Sequence, residues 1–328
     1  MANASFNQTV TNYAQVRVCA SAVAFVILFL FNLLINWTIL REQRLRSHAR
    51  FVLVFHLLLS ATTYFAVCFI FYLQMHVRAT LPAPACAALI TVLATSASNI
   101  LLTITAMALD RYVAICFPLQ YSSVRFKPWP WLLGVVTWAL ASVIPLSLFP
   151  KVELEANVQC GRDQLKAGGV HKILLISICT ILILYSYVRI LCVGRRLGVL
   201  NRRNRAGCRT IALHGVQLAV YIVPNFINFV LQVLRGKDTI TLDTKERFAV
   251  ITFVFFSLAQ CIAPIVYGLR KEELLEQLHL RFPCLACRLK SLLEWTVGVT
   301  HPGRQPRQRE RRMTTETLLS REISQTTV

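Results

Sequence analysis

The stretch "MALDRYVAICFPLQY", residues 107–121, decides how the whole chain is read. Asp110 and Arg111 stand side by side after a run, 79–109, that holds no Asp, Glu, Lys or Arg. Burying such a pair in hydrocarbon is expensive, so it belongs where a helix emerges into water or meets a partner. The run before it is long enough to cross a layer of about 30 Å, which takes a helix of about 20 residues.

The same pattern recurs along the chain. Over 328 residues it is 55% hydrophobic and only 15% charged. Helices of a soluble domain of this size would be charged on one face, whereas here stretches of about 20 residues lack charge on every face. Seven runs are readable, at 18–40, 51–72, 87–109, 131–149, 173–193, 210–234 and 248–269. In lipid the backbone must satisfy its own hydrogen bonds, so these runs predict helices. The fold class expected is an all-α membrane protein, a seven-transmembrane helix bundle. Pro145, Pro224 and Pro264 fall within runs and predict kinks.

A formal net charge of +20 would suit nucleic acid if it lay on one face of a polar domain. The basic residues instead lie between apolar runs and in the tail, so the expected contact is anionic membrane lipid, with no nucleic acid. Alternate connections separate them unequally. The set 41–50, 110–130, 189–209 and the tail holds 25 Lys and Arg, and the other set 10. The basic set is therefore expected in the cytoplasm, which gives a multi-pass plasma-membrane protein with its N-terminus outside and its C-terminus inside.

Segment assignments follow. Residues 1–17 are expected as an extracellular N-terminus without the basic leader of a cleaved signal. Two sequons there, Asn3-Ala4-Ser5 and Asn7-Gln8-Thr9, make Asn3 and Asn7 candidate glycosylation sites. Residues 18–269 form the seven-span domain. At 270–282, Leu274, Leu275 and Leu278 share one side of an amphipathic helix expected on the cytoplasmic surface. Residues 283–328 form a cytoplasmic tail, largely disordered and rich in Pro and Arg at 301–312. Cys284 and Cys287 lack a second Cys or His pair nearby, so S-palmitoylation is expected rather than zinc. No metal and no cofactor are expected.

Cys86 precedes Arg111 by 25 residues. At 1.5 Å each that is roughly 37 Å, so one helix carries the cysteine to one surface and the charged pair to the other. Cys160 is the only cysteine in the outer segment 150–172. A Cys86–Cys160 disulfide would pin that segment over the bundle mouth, two free thiols being the alternative.

With its flanks, Asp110-Arg111-Tyr112 resembles the end of the third helix in rhodopsin-like (class A) G-protein-coupled receptors. More narrowly, Met107, Ala108, Val113 to Cys116, Pro118, Leu119 and Tyr121 resemble vertebrate odorant receptors. Other positions match one at a time: Asn32 in the first helix, Trp138 in the fourth, Ser186-Tyr187 in the fifth, His214 and Pro224 in the sixth, Pro264 and Tyr267 in the seventh. The departures are Ser60 or Ala61 where the family has a second-helix aspartate, Ala263 for the seventh-helix asparagine, "ARFVLVF" for Pro-Met-Tyr-Phe-Phe, and one cysteine in the outer loop. Neither Ser60 nor Ala61 binds a cation as a carboxylate would. The overall likeness is to a divergent, fish-type odorant receptor.

The resemblance implies a switch at Asp110, Arg111, Tyr112, Tyr187, His214, Pro264 and Tyr267. Arg111 is paired while the bundle is closed and free to meet a heterotrimeric G protein when it opens; a fixed ion pair that sets helix depth is the alternative. The third-helix position where amine receptors keep an aspartate is Leu93. Leu93, Ala97, Asn225, Phe226, Phe229, Phe253 and Ser257 are the expected pocket, apolar with a few amides and hydroxyls. Such a lining suits a small, mostly neutral, odorant-like ligand. The hydroxyl-rich end, 314–328, admits a receptor kinase and arrestin as further partners. The expected function is therefore a receptor, not an enzyme; a seven-helix transporter or channel and a non-olfactory class A receptor are the alternatives. Transport usually needs intramembrane ionisable groups, and His56 and His214 are the candidates within spans.

Overall fold

The computed structural model describes residues 2–123, 129–148, 157, 158, 160, 169–196, 241–265 and 272–282. Between them it describes positions 215, 219, 222–224, 226–228, 230, 231, 233 and 234, all helical. The elements are α1 (Ala2–Arg41), α2 (Gln43–Arg46), α3 (Ala49–Val77), β1 (Leu81–Pro82), α4 (Ala83–Cys116), α5 (Pro118–Ser123), α6 (Trp129–Leu148), β2 (Asn157–Val158), α7 (Gly169–Arg196), α8 (Leu242–Pro264) and α9 (Glu272–Arg281). Residues Met1–Gln277 form one compact unit. Of the second unit, Leu278–Val328, the described part is the last turn of α9 with Phe282.

Five helices are long and apolar enough to cross a membrane: Tyr13–Arg41, Ala49–Val77, Ala83–Cys116, His171–Arg196 and Asp243–Pro264. A shorter apolar helix spans Trp129–Val143. The run expected at 210–234 lies mostly outside the described residues. Helix ends follow charge and capping. Arg41 closes α1 and Arg195 with Arg196 closes α7, cations at the carbonyl ends where the helix dipole favours them. Helix α8 opens on Thr241, whose hydroxyl accepts from the Thr244 amide, with Asp243 in its first turn. Helix α3 ends on Arg78, left-handed at φ 55°, its amide bonded to Gln74 and Met75 carbonyls. That turn sends the chain into β1.

Helix α1 packs on α3 and α8, α3 on α4 and α6, and α4 on α6 and α7. The interior is filled by Leu28, Ile35, Phe51, Phe65, Phe71, Ile100 and Ile183. On the periphery Leu30, Leu33 and Trp37 of α1, Leu132 and Val135 of α6, and Ile181 and Leu184 of α7 are exposed. Rows of large exposed apolar side chains suit a lipid solvent and would be a liability in water. Helices α3 and α6 meet at Gly134, where a Cβ would stand 2.0 Å from Nε2 of His56. Only glycine admits that approach, and the His56 ring is edge-on to Phe55 and Trp131.

Two helices run beyond the hydropathy limits of their spans. Hydropathy ends the first and last spans before their outer charges, but α1 begins at Ala2 and α8 at Leu242. Arg17 and Glu246 therefore lie inside helices, because the two side chains neutralise each other and helical hydrogen bonding continues through them. Pro145 and Pro264 do fall inside helices α6 and α8. In α9, Leu274 and Leu278 are buried while Glu276 and Leu280 are exposed, an amphipathic pattern.

Candidate functional site

At one end of the bundle, α4 delivers Asp110 and Arg111, and the chain breaks at Phe117 into the short α5. That break turns Tyr121 back so that its hydroxyl donates to Oδ1 of Asp110 at 2.9 Å. Burial first, then the Asp110 carboxylate, push the Tyr121 phenol up to about 12, against the opposing pull of Arg111 and Arg50. The phenol therefore keeps its proton and stays a donor. Tyr187 lies near the Arg195–Arg196 end of α7, the helix that packs on α4. Tyr112 stands edge-on to Phe117 at 5.8 Å and to Tyr185 at 5.9 Å. Asp110, Arg111, Tyr112 and Tyr187 are thus brought to one end, with Tyr121 a partner that sequence reasoning used only as part of a motif.

Midway along the bundle lies a neutral polar layer. Asn32 donates to the Leu58 carbonyl at 3.1 Å and to Thr62 Oγ1 at 2.8 Å. Asn36 donates to Asn32 and to the Phe55 carbonyl. Asn99 donates to Ser60 Oγ at 2.6 Å, and the Ser60 hydroxyl donates in turn to the His56 carbonyl. Ser60 and Ala61, the two positions compared with the family's second-helix aspartate, are both buried. Amide and hydroxyl groups, not a carboxylate, make up this layer, and Oδ1 of Asn36 and of Asn99 are buried without a hydrogen-bond partner among the described residues.

At the opposite end, Cys86 and Cys160 form a disulfide, with Cα atoms 5.6 Å apart across 74 residues of sequence. Next to it β1 pairs antiparallel with β2, Leu81 opposite Val158 and Pro82 opposite Asn157. Gln74 donates to the Cys160 carbonyl at 3.1 Å, tying the bridged residue to α3. Phe71 packs with both cysteines, flanked by Tyr72, Met75 and Leu81. At this same end Arg17 of α1 meets Glu246 of α8 at 3.1 Å and lies over the Tyr72 ring at 5.6 Å.

The expected pocket is placed only in part. Leu93 and Ser257 are buried, and the Ser257 hydroxyl is spent on the Phe253 carbonyl. Phe253 joins Tyr72 at 5.4 Å and Phe65 at 6.3 Å. Ala97 is half-buried on α4. Phe226 is 62% exposed, so the structure does not bring its ring among those buried side chains. Asn225, Phe229, His214, Tyr267, Cys284 and Cys287 lie outside the described residues. Asn3 and Asn7 fall on the helical path of α1, with side chains outside the description.

The family model of the 7 transmembrane receptor (rhodopsin family) matches residues 31–267. Odorant receptor 131-2 of Danio rerio is 29% identical over 189 residues, covering 52% of this chain and 57% of that protein. The human olfactory receptor 52N2 is 27% identical over 52% of this chain and 58% of its own length. A longer match, 78% of this chain at 27% identity, is to the human olfactory receptor 10J4. The chain spans somewhat more than half the length of the first two relatives. That family is one of receptors rather than enzymes, and its match covers the third helix with Asp110 and Arg111 as well as Pro264. The chain belongs to the rhodopsin family of seven-transmembrane receptors, and it resembles the odorant receptors within it.

Proposed function

We propose that the chain is a G-protein-coupled receptor that detects a small, mostly neutral, odorant-like molecule from outside the cell and activates a heterotrimeric G protein. It has seven spans within 18–269, an amphipathic surface helix at 270–282 and a cytoplasmic tail that takes palmitate at Cys284 and Cys287. The N-terminus is extracellular. Asp110, Arg111, Tyr112, Tyr187, His214, Pro264 and Tyr267 form the switch. Leu93, Ala97, Asn225, Phe229, Phe253 and Ser257 contribute to the pocket, and a receptor kinase and arrestin act on the tail.

The observation that carries this reading is the cluster at the α4 terminus, where the Tyr121 hydroxyl holds Asp110 beside Arg111. In the resting receptor Tyr121 and Asp110 hold the second inner loop against α4. Agonist binding favours an opened bundle in which Arg111 turns to the G protein, and the ligand's differential affinity for the two states drives the shift.

The test is to express the parent and Arg111→Ala with a G-protein reporter and a panel of odorants and amino acids. The parent should respond to at least one compound, and the variant, at equal surface level, should lose roughly tenfold or more of that response. A silent parent that moves a solute down its gradient would overturn the receptor reading in favour of transport. A variant that signals like the parent removes the role of Arg111.

A further inference from the structure

One side of α1 is a continuous apolar row that ends in a cluster of cations. Val26, Leu30, Leu33 and Trp37 are exposed at helical spacing, and the next position of the row is the exposed Arg41. The Arg41 guanidinium lies over the Trp37 ring, 4.9 Å from its centroid. Stacking uses the flat face of that group and leaves the N–H donors around its edge for an anion. Directly beyond, α2 sends Leu45 into the interior between Arg44 and Arg46. At about 100° per residue the two arginines leave this short helix on either side of the leucine, and both are exposed. Three arginines thus stand within 41–46, and among the described residues none of them pairs with a carboxylate.

We propose that this corner of the bundle is a binding site for an anionic phospholipid of the cytoplasmic leaflet, its phosphate held by Arg41, Arg44 and Arg46 and an acyl chain lying along Trp37, Leu33 and Leu30. The assignment rests on the proposed topology, which puts the end of α1 inside. It does not depend on which ligand or G protein the receptor uses.

Three features select the partner. The apolar row and the cations are continuous, and a phospholipid is the partner that joins an anion end to end with a hydrocarbon chain. An acidic protein segment would meet the arginines and leave the row beneath them unmatched. Arg41 is already held on Trp37, so less side-chain freedom is lost when it takes a phosphate, and its planar edge suits two oxygens of one phosphate. The other basic helix end supplies a contrast within the same molecule. Arg195 and Arg196 close α7 with similar charge, but among the described residues neither stacks on an aromatic ring. Diffuse attraction to an anionic leaflet would act on both ends alike, whereas a built site acts at α1 and α2.

The experiment uses the full chain, purified and offered phosphatidylcholine, phosphatidylserine and phosphatidylinositol 4,5-bisphosphate in competition, with retained lipid counted by native mass spectrometry. The parent should retain the anionic lipids over phosphatidylcholine by roughly tenfold. The triple variant Arg41→Gln, Arg44→Gln, Arg46→Gln should lose most of that preference, while Arg195→Gln with Arg196→Gln should keep it. Trp37→Leu keeps an apolar side chain but removes the ring under Arg41, and should lose the preference roughly twofold to fivefold. Arg41→Lys keeps the charge and guards against a variant that fails to fold; it should retain part of the preference. A parent without preference, or a triple variant that matches the parent, overturns the site. So does an equal loss in the α7 double variant, which would assign the effect to net charge. A soluble headgroup, glycerophosphoserine, that competes as well as the intact lipid overturns the role of the apolar row. The readouts do not pass through the reporter, so failure of the site and failure of the receptor reading are told apart.

Discussion

Under the proposed function, the Tyr121 hydroxyl belongs to the resting state through its hydrogen bond to Asp110. A hydrogen bond of this kind contributes a net of about 0.5–1.5 kcal/mol, because water competes for both partners in the unbonded state. If it is present only in the closed bundle, losing it shifts the closed-to-open equilibrium by roughly twofold to tenfold. Tyr121→Phe should therefore raise basal reporter signal by that factor at unchanged surface level; an unchanged or lower basal signal would show that the bond does not belong to the resting state. The pH dependence is fixed by sign. A phenol raised to about 12 in the fold contributes fully below its ordinary value near 10 and loses its contribution only as pH rises through about 12. Basal signal should show no step from Tyr121 between roughly pH 5 and 9. The sequence made Asp110 legible because a charge after a long uncharged run must lie at a helix end. Its hydrogen-bond partner was hidden, since that depends on the chain turning at Phe117, which no periodicity encodes. Arg17 was hidden for the converse reason: hydropathy treats a charge as the end of a span, although a charge paired across helices continues it.

Between helices, glycine decides the closest contact. At Gly134 α6 approaches α3 until the His56 imidazole occupies the volume a methyl would need. The ring is wedged between Phe55 and Trp131 and has little freedom to yield. Gly134→Ala should cost about 1–3 kcal/mol through overpacking, read as a lower melting temperature in detergent and less protein at the cell surface. Adding His56→Ala makes room for the new methyl and should recover part of the loss, a coupling of about 0.5–3 kcal/mol for residues in contact. Independent, additive losses would mean that the two helices do not meet there. The seven-run pattern predicts that helices exist without showing which faces meet, because lipid-facing and core-facing residues are both apolar. Trp37 is 51% exposed and Ile35, two residues earlier, is fully buried, yet both read alike in sequence. The cysteine pair was readable because compartment and spacing favour Cys86 with Cys160, whereas the pocket depends on rotation about each helix axis, which leaves Phe226 exposed.

The proposed orientation, which gives the two ends of the bundle to different compartments, rests on charge placement. The end that carries Asp110 also carries Arg41, Arg195 and Arg196, and the opposite end carries the Cys86–Cys160 bridge. Disulfides persist in an oxidising compartment and basic residues gather at the cytoplasmic leaflet, so the two signals agree. Under the proposed topology Arg17, Tyr72 and Glu246 lie on the outer side and Arg111 on the inner. If this holds, the sequons at Asn3 and Asn7 enter the secretory lumen. Removal of N-linked glycans should sharpen and lower the band of the parent on a denaturing gel. Asn3→Gln and Asn7→Gln should each remove part of that shift, and the double variant all of it. An antibody against an epitope added at the C-terminus should stain only permeabilised cells. Staining of intact cells through that epitope, with no glycan at either sequon, would invert the topology. It would also put the disulfide-bridged end of the bundle in the cytoplasm, against the compartment in which such a bridge persists.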